Sequence, residues 1–302
     1  MDNYKKLTEQ DKEHLLSMLI AGKLDVDAIE RKFLGVVYGD DPKQKMNIYL
    51  PPSGEGPFPV IFFLHGGGWQ SGSRNDTQVK PFLHGINRGY AVISCGYRLL
   101  PDVCFPENLY DIKAALRFIA ANGNKYRLDP EKIAISGASA GAQLALMAAF
   151  TQGQQAFEGG PVKDAPKILA VVDQFGPTDF LNENAHYEES GYARMNPPSK
   201  PGHGIVDALL RADTSKNPAL CAFVSPISNV HPDIPPVLIL HGRFDPMVAY
   251  QQSVTLFEKI NAVCGEGRAK LILSDDCTHA DTKYENEPYT SEIFDFLDGI
   301  LK

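Results

Sequence analysis

The chain has 302 residues, 43% of them hydrophobic and 22% charged, with a formal net charge of -8 when histidine is neutral. That composition excludes a disordered chain and suits a folded one with a sizeable core. The acidic balance offers no basic stripe to release counterions, so neither nucleic acid nor an anionic membrane is an expected partner, and no stretch approaches the ~20 apolar residues of a membrane span.

In chain order, "LTEQDKEHLLSMLIAG" (7–22) reads as an amphipathic helix capped by Thr8 and closed by Gly22. "DVDAIERKF" (25–33) suggests a second helix, so residues 1–32 are expected to form a helical segment without signal-peptide character. "FLGVVYG" and "KMNIYL" flank the turn-like "DDPK" and read as a hairpin. Short bounded apolar runs follow: "VIFFL" (60–64), "AVIS" (91–94), "IAIS" (133–136), "ILAVVDQF" (168–175), "VLIL" (237–240) and "LILS" (271–274). They are too uniformly apolar to alternate, which suits strands buried on both faces. Helical patterns separate them, at 77–88, "LYDIKAALRFIAAN", "ASAGAQLALMAAF" and "YQQSVTLFEKI", and "SEIFDFLDGIL" closes the chain. Such alternation implies one α/β domain over 1–302: eight strands with the hairpin, in a mostly parallel sheet with helices on both faces.

One crossover is too long for a plain strand–helix–strand link. Residues 176–230 are polar, broken by "NPPSKPGHG" (196–204), and are expected to form a cap or lid. The five cysteines are scattered, without a CxxC pair, and read as reduced thiols in a cytoplasmic protein.

Ligands of an open parallel sheet bind beyond the carboxyl ends of its strands. Four strand ends carry polar groups: "HGGGW" (65–69), "GASAG" (137–141), "HGRFDP" (241–246) and "DDCTHA" (275–280). Gly137, Ser139 and Gly141 fit G-x-S-x-G between a strand and a helix, the context of a nucleophile elbow. The glycines of "HGGGW" can turn backbone N–H groups inward, so Gly67, Gly68 and the Ala140 N–H are the expected oxyanion donors. Trp69 lines the mouth of the site or packs as a core aromatic, and His65 reads as structural.

A serine hydroxyl needs a base. Of eight histidines, His14 falls in the first helix, His84 after "HGGGW", and His186, His203 and His231 in or near the insertion. His241 opens the turn after the seventh strand and reads as structural. His279, after the last strand, is the expected base, and Asp245 its orienting acid, in the chain order serine, acid, histidine. Asp275, Asp276 and Asp281 are rival acids near His279.

With "HGGGW", "GYRLLPD" (96–102), "GASAG", "HGRFDPMV" and "THA", the chain resembles α/β-hydrolase-fold esterases: the hormone-sensitive-lipase-like enzymes and the bacterial feruloyl and acetyl xylan esterases. The resemblance implies a cofactor-free carboxylester hydrolase with Ser139, Asp245 and His279 as its triad, and Arg98 and Asp111 as scaffold charges. Ala138 stands where the lipase-like branch carries an acidic residue, and "GYRLLPD" where it reads "DYRLAPE". Both departures place the chain nearer the bacterial polysaccharide-ester and small-ester branch than the lipase-like one, and with no long apolar stripe in the insertion to suggest a lipid tunnel, short-chain acyl or aryl esters of small molecules are the expected substrates. An amidase or arylformamidase shares these motifs, and a non-catalytic hydrolase-fold binding protein is a third class.

Overall fold

Residue alternation along β3 (Phe58–Leu64) sets the architecture. Val60, Phe62 and Leu64 enter one apolar core, and Ile61 and Phe63 the other, so the strand is covered on both faces. The computed structural model describes residues 22–191, 195 and 204–302. Eight strands form one sheet: β1 (Lys32–Val37), β2 (Lys45–Tyr49), β3, β4 (Ala91–Cys95), β5 (Leu128–Ala138), β6 (Ile168–Gln174), β7 (Val237–Gly242) and β8 (Ala269–Ser274). Their order is β1-β2-β4-β3-β5-β6-β7-β8. β1–β2 and β2–β4 pair antiparallel, and every later pair is parallel. The expected sheet is therefore present, with the hairpin as its antiparallel edge.

Helices α1 (Glu107–Tyr126), α2 (Ala140–Phe150) and α6 (Gln251–Cys264) contribute to the first core, and α7 (Tyr289–Leu301) to the second. Between β6 and β7 lie α3 (Glu183–Ser190), α4 (Ile205–Leu210) and α5 (Pro218–Val224). The chain through 77–88 is a series of short helical turns rather than one helix, with Pro81 and the buried Gly85 interrupting it.

Two expectations for the N-terminal segment fare differently. The 7–22 helix, with Thr8 and His14, falls outside the described residues apart from Gly22. The 25–33 helix is corrected: a turn at Asp27–Ala28 leads directly into β1. Val26 and Ile29 pack against the second core at helical spacing, but the Lys32 ammonium donates to both their carbonyls, at 2.6 and 2.7 Å. It takes up acceptors that a helix would have paired along its own axis. Among the described residues, no helix is long and apolar enough to cross a membrane.

Candidate active site

Ser139 stands between β5 and α2 with φ 53° and ψ -122°, a strained conformation for a residue bearing a Cβ. Its N–H donates to Gln174 O at 2.9 Å, which fixes the turn to β6. The flanking glycines are steric requirements. A Cβ at Gly137 would lie 2.4 Å from the Gly141 carbonyl, and one at Gly141 would lie 2.3 Å from Leu64 O. α2 then begins behind the serine with its N–H groups and positive dipole end at the site.

The loop after β3 meets this elbow. Gly67, Gly68 and Trp69 have successive φ values of 116°, 58° and 59°. The Gly66 N–H is taken by Gln78 Oε1 at 2.7 Å. By contrast, the N–H groups of Gly67, Gly68 and Ala140 donate to no partner among the described residues. All three residues line the cavity that Ser139 opens into. His65 is buried, stacked on Tyr97 at 4.5 Å, with Nδ1 donating to Gly66 O. Burial lowers its pKa, as a structural role requires.

The expected base and acid, His279 and Asp245, follow β8 and β7, whose loops are stitched together. Phe244 N–H donates to Cys277 O at 3.3 Å, and Thr278 Oγ1 to Phe244 O at 3.1 Å. His279 Nε2 lies 3.0 Å from Ser139 Oγ, and its Nδ1 2.7 Å from Asp245 Oδ2. Asp245 is buried, and its other oxygen accepts from the N–H groups of Met247 and Val248, each at 2.8 Å. Burial alone would raise this carboxyl, but electrostatic attraction to the His279 ring and hydrogen bonds from His241 and His279 hold it well below the ordinary range. An ionised Asp245 can only accept, so Nδ1 carries the proton and Nε2 presents a lone pair to the serine hydroxyl. The ring of Phe175 meets His279 edge-on at 4.8 Å.

The other predicted residues separate cleanly. Asp275 pairs with Arg243, Asp276 with Lys283 and Ser274, and Asp281 accepts from Lys283 N–H. His84 reaches Glu285 O, His231 reaches Phe150 O, and His186 accepts from Gln252; His14 and His203 fall outside the described residues. Arg98 and Asp111 form a bidentate pair away from the cavity. Trp69 belongs to both readings that the sequence left open: it is 4% exposed in the core, and one side of it lines the cavity.

Sequence reasoning missed several neighbours. His241 donates from Nε2 to Asp245 Oδ2 at 3.1 Å, so it touches the acid as well as Ser253. Gln78 and Gln143 hold the glycine loop, the latter accepting from the Trp69 indole at 3.1 Å. Buried Asp173 on β6 has one oxygen without a hydrogen-bond partner among the described residues, and burial pushes its carboxyl up to about 6. The spacing of these residues carries no motif: Gln143 meets Trp69 across 74 residues, while His241 meets Asp245 and Asp173 meets Gly176 close by in the chain.

The cavity holds about 1240 Å³. Phe175, Phe180, Leu181 and Met247 give it apolar surface, while Asn184 and Ser215 add polar groups. Among the described residues, no cluster of three or more His, Cys, Asp or Glu could hold a metal ion. A base hydrogen-bonded to a strained serine, beside free N–H donors, can carry acyl transfer.

Comparison with known proteins bears on the family and the fold. The profile of the BD-FAE family matches residues 46–260. Esterase LipC of Mycobacterium tuberculosis (strain ATCC 25618 / H37Rv) is 26% identical over 269 residues, 87% of this chain and 60% of LipC. Among solved structures, a bifunctional GH43-CE protein of Bacteroides eggerthii superposes with a TM-score of 0.77 at 28% identity, over 90% of this chain and 38% of its own. A truncated carbohydrate esterase from gut microbiota superposes with a TM-score of 0.79 at 24% identity, over 92% of this chain and 99% of its own. The chain spans about half the length of most curated relatives it matches.

Proposed function

The chain belongs to the BD-FAE family of esterase-like α/β-hydrolases, and from that premise we propose that it is a serine carboxylester hydrolase acting on short-chain acyl or aryl esters. The observation that carries the reading is the continuous path from Ser139 Oγ through His279 to Asp245, at 3.0 and 2.7 Å, opening onto a cavity beside unpaired N–H groups.

Ser139 Oγ attacks the ester carbonyl carbon as its proton passes to His279 Nε2. The carbonyl oxygen becomes an oxyanion, held by the N–H groups of Gly67, Gly68 and Ala140, each donor contributing about 3 kcal/mol. Asp245 stays ionised, keeps Nδ1 protonated and stabilises the imidazolium. Collapse of the tetrahedral intermediate breaks the bond to the alcohol, which leaves with the proton from His279. Water, deprotonated by the same Nε2, then attacks the acyl-serine ester; the acid departs and Ser139 recovers its proton. The described residues of the 176–230 insertion act as a cap over this cavity, with Leu181 and Ile205 as apolar rim for the acyl or aryl group. Five unpaired cysteines support a cytoplasmic setting.

The test is hydrolysis of a p-nitrophenyl ester series, acetyl to dodecanoyl, by native protein and by Ser139→Ala. Turnover that is strongest on acetate or butyrate and falls about 10⁴-fold or more in the variant is expected. Preference for long chains would remove the short-acyl assignment. Absence of ester turnover by native protein, with cleavage of an aryl formamide, would replace the ester by an amide.

A further inference from the structure

We propose that Gln143 is a positioning residue for the oxyanion loop, tying the Gly67–Gly68 donors to the 176–230 insertion through the indole of Trp69; this rests on the esterase reading above. Gln143 is the single polar side chain in α2, whose eleven residues are all buried. A polar group persists in such a place only if it is fully paired. Its Oε1 accepts from Trp69 Nε1 at 3.1 Å, and its Nε2 donates to Val224 O, at the end of α5, at 2.9 Å. An indole N–H only donates and a carbonyl only accepts, so the two partners fix which way the amide faces. Gln143 also lies one turn beyond Ser139, on the helix that presents the third donor, Ala140.

Trp69 needs such an anchor. It is a non-glycine residue at φ 59°, directly following two donor glycines that also have positive φ. Backbone strain of this kind survives only where the surroundings over-determine it. Three contacts do so: Leu100 N–H donates to Trp69 O at 2.8 Å, Phe180 packs on the ring at 6.0 Å, and Gln143 holds the indole nitrogen. Two of the three involve the insertion or the helix that meets it. The insertion thereby sets the aim of the oxyanion donors as well as covering the cavity.

The chain's single tryptophan is Trp69, so its emission reports this seat alone. Gln143→Met keeps the volume and removes both hydrogen bonds. It is expected to lower kcat about tenfold or more, since loss of one aligned donor costs on the order of 10²- to 10³-fold and misalignment costs part of that. KM should stay within about twofold, and inhibition by an aryl trifluoromethyl ketone, whose adduct uses the same donors, should weaken by the factor lost in kcat. Trp69 emission should change as the indole loses its hydrogen bond. In Gln143→Glu burial favours the protonated acid, which can accept from the indole and donate to Val224 O as the amide does, so this isosteric variant should recover most of kcat. It also keeps the test open should the methionine variant fail to fold. A folded Gln143→Met enzyme with native kcat, or one altered in KM alone, overturns the proposal. Failure of the esterase reading looks different: native protein turns over no ester and takes no label from a fluorophosphonate, and the proposal falls with it.

Discussion

Gly141 and Leu64 meet backbone to backbone: a Cβ on the first would lie 2.3 Å from the carbonyl oxygen of the second. This contact joins the start of α2 to the end of β3, and so joins the nucleophile turn to the glycine loop. Gly141→Ala should force the two apart, with a loss of about 2–4 kcal/mol in stability and at least about 10²-fold in kcat/KM. Gly299, in α7, has nothing within 4 Å of its Cβ position, and Gly299→Ala should instead stabilise by about 0.5–1 kcal/mol with no change in rate. Thermal melts with parallel p-nitrophenyl acetate kinetics check both.

Asp245→Asn should lower kcat by about 10³- to 10⁴-fold. The amide also puts either a donor or a neutral oxygen where Oδ2 now accepts from both His279 and His241. Single-turnover kinetics should show slow acylation with little change in substrate binding, and wild-type rates in this variant would remove Asp245 from the mechanism.

Asp173 gives stability a pH dependence of known sign. Its folded-state carboxyl is raised to about 6, above the ~3.9 of an unfolded chain, so the native state binds the extra proton between these values. Its contribution is therefore fully favourable below about pH 4 and is lost as pH rises through about 6, a change on the order of 2–3 kcal/mol. Asp173→Asn keeps an acceptor for Gly176 N–H and removes the buried charge. It should raise Tm at about pH 8 and leave Tm nearly unchanged at about pH 4. An equal shift at both values would exclude this origin.

Lys113 and Glu158 form a buried ion pair at 2.9 Å, with side chains 2% and 0% exposed. Lys113→Met leaves the carboxylate with Arg117, 3.5 Å away, and should cost about 3 kcal/mol without changing kcat. Lys113→Met combined with Glu158→Leu should recover much of that loss, because the stranded charge has gone. Denaturant melts of the two variants measure it.

The sheet was legible because its strands are uninterrupted apolar runs, and the nucleophile, acid and base candidates were legible because strand ends place polar residues where ligands bind. What stayed hidden depended on particular side-chain hydrogen bonds, some local and some between distant segments. Val26 and Ile29 imitate a helix face, and only the Lys32 ammonium, folded back on their carbonyls, reveals the turn. His241 looked structural because its bond to Ser253 and its bond to Asp245 cannot be separated from a single H-G-x-x-D spacing. Gln143 carries no signal in the sequence, since its partners lie 74 and 81 residues away.

Among the described residues, six that are not glycine have positive φ, and four of them, Trp69, Ser139, Phe175 and Ala280, line the cavity at Ser139. Seen as a matter of selection, the cavity wall is where the fold's interest and the reaction's interest diverge. Glycine would relieve roughly 1–2 kcal/mol of strain at Phe175 or Ala280, against about 0.5–1 kcal/mol of added chain entropy. A library of variants at these two positions sorted for heat resistance alone should therefore gain glycine at 280, where only a methyl group is lost, sooner than at 175, where a ring against His279 goes with it. The same library sorted for ester turnover should keep both side chains, and the difference between the two populations would map how much stability the site withholds from the rest of the molecule.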